Sequence, residues 1–385
     1  MTKLNPEEAI SAAISVYNIK KSNDINKAFL ASKIRNHFQF SNSSAKRFTS
    51  KTGSFEFKTK TGFGVIAKGK KGSDFQDDAI IVCRGTASLY DWLTDFNTGM
   101  QTSRIGHTVH AGFNRTFNEF YATLDNFITV NKPNVLHCVG HSLGGALATM
   151  AAGLAVKKKT KAALYTFGAP RVGLIDFATK LSISHYVGAE NIHRVFHGGD
   201  PVSMVPIWPF VHAPQPGGEC HIGKVLEFNP LQHKSGNYAI SLAGKTDWDA
   251  LTNPQPTWKS QIKGLVNSED TLNNFGLNYQ NLSFIMRAIQ VGIKDFLHIP
   301  FATLNQSVVA GTTYLDQLSM FLEQASKVST ESDSFIRGIL LRIVKMTGLV
   351  LTLPQKITHH VIRVVLNRLI YVIGRSVQFA LQYTK

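Results

Sequence analysis

Apolar positions recur along the first 240 residues in two rhythms, short continuous runs and longer three-to-four spacings. Residues 9–19 set Ala9, Ala12, Ala13, Val16 and Tyr17 on one side, behind Pro6, Glu7 and Glu8, and this predicts a helix. Residues 20–54 are polar, basic and serine-rich, with weak pattern. Runs at 62–68 and 78–84 predict strands joined by a Lys/Gly loop, and 88–96 predicts a short amphipathic helix. Residues 109–128 are helical over most of their length, with Phe113, Phe117, Phe120 and Tyr121 on one side. An apolar run at 134–139 suits a buried strand, and the small residues of 145–152 suit a tightly packed helix. Further strands are expected at 162–167 and 191–197, a proline- and glycine-rich loop at 205–219, and a last strand at 224–228. Strands alternating with helices over 62–238 predict an α/β architecture around a mostly parallel sheet.

The pattern then changes. Residues 247–261 hold Trp248, Pro254, Pro256 and Trp258 and read as a linker. From about residue 273 onward the chain becomes long apolar-rich helical stretches. Two domains are expected: 1–270, the α/β part, and 271–385, a basic, apolar-rich helical part.

Composition narrows the partners. The 385 residues are 43% hydrophobic and 17% charged, which excludes global disorder. A net charge of +16 points to an anionic partner, whether nucleic acid, a membrane surface or an acidic protein. Cys83, Cys138 and Cys220 form no metal-spaced pair, and the first two lie in apolar runs as small core residues, so no disulfide framework is expected. The start of the chain, Met1 to Glu8 in number, lacks the basic stretch and apolar core of a secretory signal. Cytoplasmic synthesis without a cleavable signal is therefore expected, with any export by a specialised route.

The candidate chemistry lies where the 134–139 run meets the small-residue helix. Gly140-His141-Ser142-Leu143-Gly144 is a G-x-S-x-G sequence in the strand–turn–helix context that a nucleophile elbow needs. A serine hydroxyl is a weak nucleophile and requires a base, an orienter for that base, and donors for the oxyanion. The α/β-hydrolase chain order of serine, acid, histidine selects Asp200, which follows the 191–197 run after a Gly-Gly turn. His212, His221 and His233 are the downstream bases on offer. His212 sits in the proline-rich loop and His221 precedes the expected last strand, so His233, which follows it, is the choice. His141 reads as packing or support. The oxyanion donors expected are the amide of Leu143 and the Arg84-Gly85-Thr86 loop, with Thr86 able to add its hydroxyl.

In this order the pieces resemble the fungal-type (class 3) lipase family of α/β-hydrolases. The matching stretches begin with Arg84-Gly85-Thr86, Asp91-Trp92-Leu93-Thr94-Asp95 and Val109-His110-Ala111-Gly112-Phe113. The elbow follows, then Tyr165-Thr166-Phe167-Gly168-Ala169-Pro170-Arg171, Asp200-Pro201-Val202, and His233 with Tyr238. The resemblance implies Ser142 as nucleophile, Asp200 as acid, His233 as base, and Thr86 with Leu143 as oxyanion donors. It also implies a lid built on Leu89, Trp92, Leu93 and Phe96, although a fixed surface helix fits the same residues. Cys83 stands where the family usually has phenylalanine, Ser203 replaces a usual proline, and the segment from Asp200 to His233 is short. No metal or cofactor is required by this chemistry.

After Asp333 stand Arg337, Arg342, Lys345, Lys356, Arg363, Arg368, Arg375 and Lys385, with no acid among them. These cations break the apolar runs too often for an ordinary membrane-spanning helix of about 20 residues. Pro354 separates two helices, and Gly348 and Gly374 are expected to weaken them. Two readings fit: a helical bundle packed on itself or on the α/β part, or a helical pair that docks on anionic lipid. Together these point to a serine esterase of the lipase or phospholipase A type, favouring phospholipid. The expected partners are the lipid substrate and an anionic membrane surface; no nucleic acid is expected. By analogy, such a protein could be an antibacterial or host-directed effector, with an immunity or chaperone partner. The alternatives are a membrane- or partner-binding protein with a non-catalytic hydrolase fold, and a soluble small-ester esterase.

Overall fold

A computed structural model describes the chain except residues 21–23, 41–45, 53–58, 86–98, 216–219, 223–227, 252–261, 269–271, 273–274, 299–312 and 383–385. Helix α1 (Pro6–Ser15) starts where Asn5 and Glu8 form a reciprocal capping box and Pro6 fills the first turn. It tightens into a 3-10 turn, Val16–Lys20, before the short α2 (Ile25–Ala28). Strands β1 (Lys46–Thr52), β2 (Thr59–Lys68) and β3 (Ala79–Cys83) pair antiparallel in succession. Strands β4 (Met100–Thr102) and β5 (Thr108–His110) form a separate ribbon. Helix α3 (Ala111–Asn131) begins only after His110, whose Nδ1 accepts from the Gly112 amide, so the expected helix loses its first two residues to β5.

The parallel part of the sheet is β3, β6 (Val135–His141), β7 (Lys161–Phe167), β8 (Ile192–His197) and β9 (Cys220–Ile222), giving the order β1-β2-β3-β6-β7-β8-β9. This is the expected α/β-hydrolase class, a mostly parallel sheet with helices on both faces. Alternation along each strand feeds two cores. Ile81, Cys83, Leu136, Cys138, Leu164 and Phe196 face one, and Ile80, Val82, Val139, Tyr165, Phe167 and Val195 face the other. With both faces buried, β3 reads as a continuous apolar run and β6 and β7 as mostly apolar ones. Helices α3, α4 (Leu143–Lys157) and α5 (Ile175–Ile183) cover the first face, and α1 and α6 (Ser235–Leu242) cover the second.

Three expectations need correction. The last described strand is β9, which contains His221 rather than following it; residues 223–227, most of the stretch expected to be that strand, lie outside the described residues. Trp248 is not in a free linker: its indole N–H donates to the Leu4 carbonyl at 2.8 Å and it stacks on His193 with centroids 4.3 Å apart. An aromatic with an apolar body and one donor is better satisfied inside than in solvent. Gly348 does not weaken a helix interior but ends one, in the left-handed conformation (φ 63°) that favours glycine.

Helix α7 (Ile262–Asn267) falls before residue 270, and the C-terminal part holds α8 (Tyr279–Leu297), α9 (Tyr314–Ser326), α10 (Thr330–Thr347) and α11 (His359–Gln382). One apolar cluster runs from the sheet face through α4 into these helices, reaching Leu381. Helix α11 packs on α9 and α10 and against the turns Pro201–Met204 and Pro230–His233. It is long and apolar enough to cross a membrane, with half of its apolar window buried in the fold. Arg342 belongs to no cationic surface. It is 2% exposed and donates to the carbonyls of Leu265, Val266, Ser268 and Gly338.

Candidate active site

Strand β6 delivers Ser142 onto a turn with φ 59° and ψ −134°, a conformation that non-glycine residues rarely adopt. Such a backbone costs on the order of 1–3 kcal/mol and persists where its surroundings impose it. The Ser142 amide donates to the Phe167 carbonyl at 2.9 Å, and the Ser142 carbonyl accepts from Gly145 at 2.9 Å. Strand and helix come so close that a β-carbon on Gly140 would stand 2.2 Å from the Gly144 backbone. The Leu143 amide is the first of α4, one of the helix-start N–H groups with no carbonyl one turn earlier to bind.

Asp200 follows β8 and caps the 3-10 turn Pro201–Met204 through the Val202 amide at 2.9 Å. His233 closes the turn Pro230–His233. An ionised carboxylate only accepts, so His233 Nδ1–H donates to Asp200 Oδ2 at 2.9 Å. Its Nε2 then accepts from the Ser142 hydroxyl at 2.8 Å. The Tyr238 hydroxyl donates to the same Asp200 Oδ2 at 2.7 Å. Burial works against the Asp200 charge, but His233, Tyr238 and the Val202 amide outweigh it and hold the carboxyl below its ordinary pKa. Ser142, Asp200 and His233 are 2%, 0% and 0% exposed, so the hydroxyl is closed off from solvent.

The family description "Lipase (class 3)" matches residues 80–210, the stretch from β3 through the turn after Asp200. Residues 80–210 belong to the class 3 lipase family. A secreted mono- and diacylglycerol lipase of Fusarium solani is 36% identical over 154 residues, 38% of this chain and 44% of that protein. A lipase of Rhizopus niveus is 31% identical over 164 residues, 39% of this chain and 38% of that protein. The chain thus spans less than half the length of these relatives. Among solved structures, the mono- and diacylglycerol lipase of Aspergillus oryzae has a TM-score of 0.41 at 20% identity, covering 60% of this chain and 85% of that one. The lipase of Rhizopus microsporus var. chinensis has 0.40 at 23%, covering 58% and 74%. One expectation is overturned: relatives from Fusarium solani and Penicillium cyclopium are named secreted lipases, which points to export rather than to a cytoplasmic protein. A polar start such as that of residues 1–8 describes only that stretch and does not decide the compartment.

Within this class 3 lipase frame, Ser142, Asp200 and His233 come together as one hydrogen-bonded line. Thr86 and the lid residues Leu89, Trp92, Leu93 and Phe96 lie outside the described residues, while Arg84 and Gly85 lead up to them at the end of β3. His212 is elsewhere: its Nε2 pairs with the Ser203 carbonyl at 2.7 Å, and burial with Arg194 and Arg171 pulls its pKa well down. Ser203, standing for the usual proline, keeps the turn closed by donating to the Asp200 carbonyl at 2.8 Å. Two contributors were missed by sequence reasoning. Tyr238 matched the family but carried no role. Gly168 (φ 53°) sits so close that a β-carbon there would lie 2.5 Å from Asp200 Oδ2 and 3.2 Å from His233 Nδ1. Its position directly after β7 was the available signal.

Proposed function

We propose that the chain is a serine carboxylester hydrolase acting on lipids, with Ser142 as nucleophile, His233 as base and Asp200 as its orienter. The observation that carries this is the buried line Asp200–His233–Ser142, with contacts of 2.9 and 2.8 Å, built on a strained elbow. Ser142 Oγ attacks the ester carbonyl carbon as its proton passes to His233 Nε2. The oxyanion accepts from the Leu143 amide and from the loop that Arg84 and Gly85 lead into, where Thr86 supplies the second donor. Nε2 returns its proton to the departing alcohol as the C–O bond breaks. Water, losing a proton to Nε2, then attacks the acyl-serine, and Nε2 passes that proton to Ser142 Oγ as the C–Oγ bond breaks and the acid leaves.

Lipid as substrate is supported by relatives named mono- and diacylglycerol lipases. A closed hydroxyl supports opening at a lipid surface, the role assigned to the lid at Leu89, Trp92, Leu93 and Phe96. The exposed Lys345 and Lys356 support an anionic membrane as that surface and phospholipid of the phospholipase A type as substrate. The effector role and its immunity or chaperone partner rest on no residue of the site. A fluorophosphonate probe tests the reading: labelling of the native chain and none of Ser142→Ala is expected. Absent labelling in the presence of vesicles would favour a binding protein. Hydrolysis of short esters with no rate rise above their critical micelle concentration would leave a soluble esterase. Equal rates on neutral triglyceride emulsion and on anionic vesicles would remove the phospholipid preference.

A further inference from the structure

His141, inside the elbow, stands outside the Asp200–His233–Ser142 line yet is joined to one of its members. Its Nε2 lies 2.8 Å from the backbone carbonyl of His233, and its Nδ1 lies 2.9 Å from the hydroxyl of Tyr17, on the 3-10 turn Val16–Lys20. A carbonyl only accepts, so Nε2 carries the hydrogen. Nδ1 of the neutral ring must then accept, and Tyr17 must donate. The Tyr17 hydroxyl also lies against the backbone of Gly85, the residue before Thr86: a β-carbon there would stand 2.7 Å from it. The direction is therefore fixed along the two bonds: Tyr17 O–H to His141, and His141 N–H to the carbonyl of His233. Neither ring ionises near neutrality. Burial, with His233 beside it, pulls His141 down to about 3, and burial pushes Tyr17 well up.

We propose that Tyr17 is a positioning residue for ester hydrolysis, holding the Gly85 loop, the elbow strand and the backbone of His233 in register through His141. The proposal rests on the hydrolase reading above. Tyr17 lies outside residues 80–210, so a side chain from the N-terminal segment completes a site whose reacting groups come from later in the chain. The His141 and His233 rings are 4.9 Å apart and inclined by 31°, so a shift of the His233 backbone carries directly to Nε2. Tyr17→Phe keeps the ring but removes the only hydrogen that Nδ1 can accept from this partner. The imidazole is then free to place its own proton on Nδ1, which would turn the Nε2 lone pair against the His233 carbonyl. Misplacement of a catalytic group by about 1 Å can cost 100-fold.

The experiment combines kinetics and histidine NMR on the full chain, using a soluble short-chain ester and a fluorophosphonate probe. Tyr17→Phe is expected to lower kcat by about tenfold or more with KM within about twofold, and to slow Ser142 labelling by the same factor. Tyr17→Phe and His141→Gln together are expected to be no worse than His141→Gln alone, because they break one chain of bonds. In the native chain labelled with 15N-histidine, His141 is expected as the Nε2–H tautomer, which decides the matter even if the variant fails to fold. A Tyr17→Phe enzyme with native kcat, multiplicative losses in the double variant, or a native Nδ1–H tautomer at His141 would overturn the proposal. Absent labelling of the native chain would instead sink the hydrolase reading itself.

Discussion

Gly168 and Tyr238 both act at a single carboxylate oxygen. A β-carbon at Gly168 would stand 2.5 Å from Asp200 Oδ2 and 2.8 Å from the Tyr238 hydroxyl, in a backbone conformation (φ 53°) that a side chain disfavours. Gly168→Ala must therefore push Asp200 away from His233 Nδ1. We expect kcat/KM for a soluble ester to fall by about 100-fold, the cost of misplacing one catalytic group. Initial rates beside a melting curve test this; a rate near native in a folded variant would contradict it. Tyr238→Phe leaves Asp200 its bonds to His233 and Val202 but deletes a hydrogen bond to a charged group, about 1.5–3 kcal/mol. Its kcat is expected to fall by about tenfold, less than for Gly168→Ala, since the geometry survives. Ser142 was legible in the sequence because strand, turn and helix are neighbours along the chain. Gly168 and Tyr238 were not, because what they touch comes from 32 and 38 positions away and no local pattern encodes that meeting.

Elements buried on both faces were the easiest to see: β3 is an unbroken apolar run, β6 and β7 are mostly apolar, and β8 keeps Ile192, Val195 and Phe196 around its polar members. Ends were harder. The start of α3 depends on His110 acting as a cap and on the short ribbon β4–β5, which three-residue strands cannot announce. The polar members of the C-terminal helices were the least legible: charge alone counted Arg342 among the cations after Asp333. Instead Arg342 reaches the carbonyls at the end of α7, where a cation meets the negative end of the helix and satisfies groups that the helix itself cannot. Arg342→Met would fill the same space and leave those carbonyls unpaired in a buried place. A loss of about 1.5–3 kcal/mol is expected from the hydrogen bonds to the charged group. Urea unfolding measures it, and an unchanged midpoint would show that water replaces the guanidinium.

At the scale of the molecule, the division at residue 270 is one of composition, and we propose that it is no boundary of folding: a single apolar cluster joins Phe63 to Leu381. Across its two cores the fold also keeps several histidines neutral. Burial pulls His110 down to about 4 and His141 and His193 to about 3, and lowers His137, His197 and His212 as well, against the opposing pull of Asp78 on His137 and Asp200 on His197. In the unfolded chain each titrates near 6.5. Between about 6.5 and 4 the unfolded state therefore binds protons that the folded state refuses, and stability falls as pH falls. Asp200, whose folded pKa is depressed, adds to the loss only below about 4. Each fully suppressed histidine contributes about 1.4 kcal/mol for each pH unit below 6.5. Three such groups would remove about 4 kcal/mol at pH 5.5, a large part of the 5–15 kcal/mol that holds an ordinary domain. Urea midpoints at pH 7.5, 6.5 and 5.5 are expected to be nearly level over the first step and to drop sharply over the second. Calorimetric unfolding at pH 5.5 is expected to take up several protons per chain. Equal midpoints at 7.5 and 5.5 would mean that these rings already carry protons in the folded protein, in which case His141 could not serve as the neutral link between Tyr17 and His233.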